Sequence, residues 1–527
     1  MTISSDTSSY IAGNFLAGAG NSFHAWDPVN NLALASCGSC GTEELQKAAH
    51  AAQSAAPVLA KKSGQQIAEF LQTLATEIEN LGEQLIATGM AESGLPEARL
   101  QGERGRTCGQ IRAFAELVQD GSWVQASIDT AIADRQPLPK PDIRSQLTAL
   151  GPVAVFGASN FPFAFGSLGG DSAAALAAGN PIIVKGHPSH PATSTLFAQA
   201  MDKAIRSCDF PSGTFALLQG DGHQLGGDLV AHPSVKAVGF TGSVAGGRAL
   251  MDIAAKRPEP IPVYAEMGSI NPVFIMPDVL QNNSDSVAAG LAASIAMGAG
   301  QFCTSPGLIV TLAGDFAEQT SKHLAQQARG HMLNPGIANA FKQSVATRCE
   351  DQDIELLTGG AGAENPLQPE NSLMKVSAKN FIAKPELLEE IFGPVSLLVE
   401  CQNIKEMQDV AEAMEGNLTA TIHTQAYDQP ELKPLLEQLS KVAGRVLFNG
   451  YPTGVEVCPS MQHGGPYPAS SAPATTSVGA AAIFRFTSRH AFQNCPDSLL
   501  PAALQNANPL NIWRQLNGQP SQAAITQ

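Results

Sequence analysis

Gly151-Pro152-Val153-Ala154-Val155-Phe156-Gly157-Ala158-Ser159-Asn160-Phe161-Pro162 opens the part of the chain that decides the fold. Val153 to Phe156 is a short apolar run between glycines, which predicts a buried strand. The same texture returns at Ile182 to Lys185, Phe215 to Leu218, Val235 to Phe240 and Val263 to Glu266. Helix-like segments such as Pro191 to Arg206 and Val244 to Lys256 lie between them. Strands alternating with helices predict βαβ units around a parallel sheet, a nucleotide-binding style of layout. A second alternating block begins at Val273 and runs through Leu308 to Leu312, a helix after Asp315, and Ser396 to Glu400 toward Val446 to Phe448. The fold class is therefore α/β, with two parallel-sheet lobes.

Outward from this core, Glu43 to Gln119 carries helical periodicity and good helix formers. Trp123 to Arg144 lacks strong periodicity and ends in Pro137, Pro139 and Pro141, which predicts an extended arm. From Pro496 onward the chain is rich in Pro, Asn and Gln and is expected to run over the surface. No internal repeat has a fixed period.

A chain of 527 residues exceeds what one simple core holds, in keeping with two lobes. Its 44% hydrophobic and 15% charged residues exclude a disordered chain. Acidic residues outnumber basic ones by 47 to 31, and the net charge of -16 argues against nucleic acid as a partner. Met1 to Tyr10 is polar with no secretory pattern, so the expected location is the cytoplasm. Val287 to Gly300 falls short of the roughly 20 residues that span a bilayer and reads as a buried helix, so no membrane partner is expected. Nine cysteines, an odd and scattered set, fit reduced thiols. Cys37-Gly38-Ser39-Cys40 spells C-x-x-C, but no second pair has ligand spacing, and no metal is expected.

Three segments carry candidate chemistry. Cys303, in Gly300-Gln301-Phe302-Cys303-Thr304-Ser305, follows a Gly- and Ala-rich helix and sits in a small-residue loop that a substrate can approach. Glu266 ends the strand Val263 to Glu266, where a parallel sheet presents residues to its ligand crevice. Phe240-Thr241-Gly242-Ser243-Val244-Ala245-Gly246-Gly247 runs from strand into helix, and bare amides there suit a pyrophosphate. Each alone has a bland reading as core thiol, solvated carboxylate or packing turn.

Taken in order with Gly151 to Pro162 upstream and Glu390-Ile391-Phe392-Gly393-Pro394-Val395 downstream, the set resembles the aldehyde dehydrogenase superfamily from about Asn14 to Gly518. Gly464-Gly465-Pro466-Tyr467-Pro468-Ala469-Ser470 and Asn508-Pro509-Leu510 are similar to the branch acting on 2,5-dioxopentanoate, with fatty-aldehyde enzymes as near relatives. The resemblance implies a cofactor-binding domain from residues 1–122 and 149–268 and a catalytic domain at 269–469. It also implies an oligomerisation arm from 123–148 and 470–495, and a surface segment at 496–527. It implies Cys303 as nucleophile, Glu266 as general base and Asn160 as the amide on the oxyanion. For the cofactor it implies Lys185 and Glu390 on the two riboses, Phe392 beside the nicotinamide, and Gly242, Ser243 and Gly247 at the pyrophosphate, with Ser159 nearby. Phe161 and Phe165 would line the substrate tunnel. The expected cofactors are NADP and NAD, and the expected assembly is a homodimer or homotetramer.

Some positions depart from the family pattern. Ser269 and Ile270 stand where many members have Gly and Lys, and Pro466-Tyr467-Pro468 replaces a common Pro-Phe-Gly-Gly. Pro188 occupies the place of a Glu that grips both ribose hydroxyls in NAD-preferring members, so no carboxylate there repels a 2′-phosphate. His187 and His223 are candidate phosphate contacts. A dicarboxylic semialdehyde needs a cation for its far end, and Arg104 and Arg106 are candidates, Arg106 foremost. Two rival classes remain, a cysteine hydrolase pairing Cys303 with a histidine and a non-catalytic binding protein.

Overall fold

The structure, a computed structural model, describes residues 3–526 and is organised by three large sheets, with a two-stranded antiparallel pair, Ser22–Asp27 and Leu32–Gly38, beside them. In the first, the strands run in the order Val263–Glu266, Ala237–Thr241, Val153–Phe156, Ile182–Lys185, Phe215–Leu218, Ser9–Ile11 and Asn14–Leu16. The five strands anticipated from sequence are mutually parallel, and the two N-terminal strands extend the sheet antiparallel. Because side chains alternate across a strand, Val153 and Val155 enter one core while Ala154 and Phe156 enter another. Helices Gly64–Asn80, Glu97–Asp120 and Pro191–Ser207 close the first face; His223–Ala231 and Val244–Lys256 close the second. Both faces are dry, which is why these strands lack polar alternation.

The second sheet has the order Glu355–Thr358, Ser372–Ser377, Val395–Cys401, Leu308–Leu312, Val273–Ile275, Asn417–His423 and Ala443–Phe448. All neighbours are parallel except the first pair. The α/β class read from the sequence is thus observed. Asn417–His423 escaped that reading because Asn417, Thr419 and Thr421 dilute its apolar character. Two of its groups are met inside the fold: Thr419 donates to Asn271 Oδ1 at 2.9 Å, and the Leu418 amide donates to Ser269 Oγ at 2.9 Å, whereas Thr421 Oγ1 is buried without a partner.

The third sheet joins Thr487–Gln493, Ile143–Ala149, Ser127–Asp129, Arg514–Leu516 and Gln519–Ser521. Residues 496–526 do not merely run over the surface. They supply two of these strands and bury Leu500, Ala503, Leu504 and Ile512 against Ala126 and Ile128. The excursion at 123–148 has too few apolar residues for a core of its own, so the C-terminal segment completes it. Among the described residues no helix is long and apolar enough to cross a membrane. The buried helix expected over Val287 to Gly300 spans Ser284–Ala296 and stops there, because Gly298 and Ala299 take φ values of 57° and 56°.

Candidate active site

Glu266 ends its strand paired with Thr241, and an isolated bridge to Ser470 ties it on its other side. The neighbouring Met267 amide donates to the Ala469 carbonyl at 2.8 Å, and the Ser471 amide to the Ala265 carbonyl at 3.0 Å. A segment from the far end of the chain is therefore laid along the exit of the first sheet. That segment brings in Ser477, whose hydroxyl donates to Glu266 Oε2 at 2.6 Å, and His463, whose Nε2 lies 3.0 Å from Glu266 Oε1. His463 is in turn fixed through its backbone, its amide donating to Thr476 Oγ1 and its carbonyl accepting from the Ser477 amide.

Cys303 reaches the same point from the second lobe. The left-handed run Gly298, Ala299, Gly300 turns the chain sharply after the helix, and a side chain at Gly300 would collide with the Gly393 carbonyl. The loop is then clamped by Asn271 Nδ2, which donates to the carbonyls of Cys303 and Ser305 at 2.9 Å each. Cys303 Sγ stands 3.6 Å from His463 Nε2. Asn160 Nδ2 donates to the Gln301 carbonyl at 2.7 Å, which leaves the second N–H of the same amide beside the cysteine loop.

The electrostatics of this cluster follow from burial and two neighbours. Burial and then the Glu266 charge push the Cys303 thiol well above the ordinary range, with Arg106 pulling the other way. Burial also pushes the Glu266 carboxyl up, but His463, Ser477 and Cys303 outweigh it and hold Glu266 below its usual value. The resting pair is a thiol beside a carboxylate, which suits a nucleophile that must surrender a proton before it reacts.

In front of Cys303 opens a cavity of about 320 Å³, lined by Arg99, Arg106, Phe161, Phe165, Phe302 and His463 among others. The Arg99 guanidinium sits 4.4 Å from the centre of the Phe161 ring and 4.6 Å from that of Phe302. Its nearest carboxylate is Glu103, at 3.7 Å, which itself accepts from the Phe163 and Ala164 amides. Arg106 donates one N–H to the Val455 carbonyl at 2.7 Å, while its Nε and second terminal nitrogen are buried without partners. Arg104, the other candidate, points elsewhere and donates to the Gly82 carbonyl. Arg99, His463 and Ser477 were not picked out from sequence. The signal for Arg99 was its place on helix Glu97–Asp120, seven residues before Arg106 and so on the same face.

On the other side of Glu266 lies the strand-to-helix turn. Ser243 caps helix Val244–Lys256, its hydroxyl accepting from the Gly246 amide at 3.1 Å, and Gly242 and Ser243 are exposed there. Gly247 faces inward and is bare because Met267 packs on it. Lys185 ends its strand half-buried, and burial lowers its ammonium to about 8 against the attraction of Asp221. Glu390 lies against the bare Cα of Gly268. Protein crowds Glu390 and drives its carboxyl upward, with the Ser269 amide opposing, yet the side chain remains open to solvent in its recess, which tempers the shift. Phe392 and Ser159 are partly buried beside Gly393 and Asn160. His187 is partly exposed and stacks on His190 at 5.3 Å, and the surrounding protein keeps its imidazole far below its ordinary value. His223 is exposed. Cys37 and Cys40 are buried, with Cys40 Sγ 3.1 Å from Ser9 Oγ.

The order of these residues along the chain matches the profile of the Aldehyde dehydrogenase family over residues 15–470. The chain belongs to that family. This aldehyde dehydrogenase is 46% identical over 515 residues to alpha-ketoglutaric semialdehyde dehydrogenase 2 of Azospirillum brasilense, covering 97% of this chain and 98% of that protein. It is 44% identical over 481 residues to alpha-ketoglutaric semialdehyde dehydrogenase of Acinetobacter baylyi, covering 90% and 91%. Among solved structures, aldehyde dehydrogenase C of Pseudomonas syringae, in complex with NAD+ and octanal, shares the fold with a TM-score of 0.78 and 20% identity, covering 93% of this chain and 97% of that one. The family assignment and α/β fold read from the ordered motifs are therefore correct.

Proposed function

We propose that this aldehyde dehydrogenase oxidises 2,5-dioxopentanoate to 2-oxoglutarate, using NADP or NAD. The observation that carries the substrate is the pair of guanidinium groups, Arg99 and Arg106, in the cavity above Cys303. The two buried nitrogens of Arg106 without partners supply what a desolvated distal carboxylate requires. The identities of 46% and 44% to alpha-ketoglutaric semialdehyde dehydrogenases point the same way. A long, apolar fatty-aldehyde tunnel would leave the two free Arg106 nitrogens unmet.

In this reading Glu266 accepts the Cys303 proton, and the thiolate adds to the aldehyde carbon. Asn160 stabilises the alkoxide, a contribution of about 3 kcal/mol for one donor. NADP or NAD, when bound, would supply the acceptor for the hydride released from the same carbon. The acyl group then remains on Cys303 as a thioester, and Glu266 takes a proton from the water that hydrolyses it. His463 and Ser477 hold the two Glu266 oxygens in place through both stages. The turn at Gly242 and Ser243, the desolvated Lys185 and the solvent-facing Glu390 fit a dinucleotide, with the exposed start of helix Val244–Lys256 at its pyrophosphate. Gly247 supports that turn by packing. Phe392 would pack on the nicotinamide side, with Ser159 beside Asn160.

Nine free thiols fit a reducing compartment, the cytoplasm. The outer strand Thr487–Gln493 is an edge of the third sheet, which supports pairing with a second copy in a dimer or tetramer. Steady-state kinetics on 2,5-dioxopentanoate, hexanal and dodecanal with each cofactor test the reading. Efficiency highest for 2,5-dioxopentanoate is expected, and equal efficiency with dodecanal would move the chain to the fatty-aldehyde branch.

A further inference from the structure

Cys303 Sγ, His463 Nε2 and one Glu266 oxygen lie within 4.8 Å of one another and converge from two lobes. The way they converge is informative. In a proton relay through histidine, one ring nitrogen faces the nucleophile and the other faces the carboxylate. Here the same nitrogen, Nε2, faces both Cys303 and Glu266, while Nδ1 is buried without a partner. Three lone-pair donors thus surround one point, an arrangement that suits a central cation better than a chain of protons.

Two of the three separations agree with that reading, and the third is within 4.8 Å. Zinc bonds of about 2.3 Å to sulfur and about 2.05 Å to nitrogen at the tetrahedral angle place sulfur and nitrogen roughly 3.6 Å apart. The observed Sγ to Nε2 separation is 3.6 Å. The nitrogen and oxygen, at 3.0 Å, would need to part by only about 0.4 Å. Ser477 already occupies Glu266 Oε2 and so leaves Oε1 as the ligand. The fourth position faces the cavity of about 320 Å³, through which an ion can enter.

We propose that Glu266, Cys303 and His463 form an inhibitory site for a borderline-soft divalent cation of the zinc class in the substrate-free enzyme. The inhibition rests on the roles given above to Cys303 and Glu266; the binding does not. On binding, the thiol releases one proton to solvent, the Nε2 proton shifts to Nδ1, and bonds form from sulfur, nitrogen and the carboxylate oxygen. No electron is transferred. Arg99 and Arg106, with Arg445 also acting on the thiol, oppose a cation. The thiolate and carboxylate cancel its two charges, so the arginines face a neutral unit. The ion would sequester nucleophile and base together, and a chelator would restore both.

Calorimetric titration of the chelator-treated full-length enzyme with zinc chloride, in two buffers of different ionisation enthalpy, tests binding apart from turnover. One ion per chain and release of about one proton are expected. Bound zinc should protect Cys303 from iodoacetamide, and cobalt substitution should give a thiolate-to-metal absorption band that Cys303→Ser removes. His463→Asn and His463→Gln should each weaken zinc at least about tenfold, the loss that even an outer-shell partner gives. Unchanged zinc affinity in His463→Asn, or affinity lost in Cys349→Ser at the exposed thiol, would overturn the proposal. Absent aldehyde oxidation with intact zinc binding would instead count only against the catalytic reading.

Discussion

Glu266 and His463 stand 197 residues apart in the chain, and their side chains meet at 3.0 Å. The contact leaves Glu266 an acceptor whose orientation is set by the far end of the protein. Glu266→Gln should therefore keep the fold and acylate at a reduced rate. A burst of reduced cofactor near one equivalent per active site should precede a steady rate at least about 100-fold below wild type, within the range of a lost general base. Rapid-mixing absorbance at the reduced-nicotinamide band measures both phases. Wild-type turnover in the variant would remove Glu266 from the mechanism.

Charge in the cavity sets a second outcome. Arg106→Met should raise KM for 2,5-dioxopentanoate roughly 10- to 150-fold, as expected for a charge-assisted hydrogen bond of about 1.5–3 kcal/mol. KM for hexanal should change little, because no carboxylate is left unpaired. Arg99→Met should act in the same direction. Equal effects on the two substrates would mean that the arginines shape the pocket without reading charge.

Position 188 is the proposed determinant of cofactor choice. Pro188, three residues beyond Lys185, is partly exposed and carries no charge. Pro188→Glu should lower kcat/KM for NADP at least about tenfold relative to NAD, through repulsion of the 2′-phosphate. Parallel kinetics with the two cofactors give the ratio, and an unchanged ratio would place the phosphate elsewhere.

The buried thiols predict an alkaline limit to stability. Burial raises Cys37 and Cys401 to about 12 and Cys108 to about 11. The unfolded chain ionises these groups near about 8.5, so it loses protons first. Their contribution is complete below that pH and falls as pH climbs toward the folded values, by at most about 1.4 kcal/mol per pH unit for each thiol. Thermal unfolding under reducing conditions should show Tm falling between about pH 8 and about pH 10.5. A flat profile across that window would contradict the burial effect.

Much of the first lobe was legible because its strands are uniformly apolar and end at punctuating residues. Val153–Phe156, Ile182–Lys185, Phe215–Leu218 and Val263–Glu266 fall where the sequence places them. Asn417–His423 was hidden because polar residues alternate through it, and the contacts that help to bury them, Thr419 on Asn271 and the Leu418 amide on Ser269, are tertiary. Cys303, Glu266 and Asn160 were proposed through motif order, and the fold brings Cys303 and Glu266 to one point. His463 directly precedes the Gly464 to Ser470 signature, yet a single histidine has no period or partner in sequence. Its contact with Glu266 Oε1 in the fold reveals which carboxylate it meets. Arg99 was legible in principle from helical spacing, whereas adjacency in sequence favoured Arg104, which faces Gly82.

Helix Glu97–Asp120 carries Arg99 and Arg106 into the cavity, and it belongs to neither the cysteine loop nor the strand that ends in Glu266. On the roles proposed above, preference among aldehydes and the capacity to oxidise them are written on separate pieces of backbone. A lineage can exchange the two arginines for neutral side chains, and so acquire a new diet, while the groups that make and break the thioester are inherited intact.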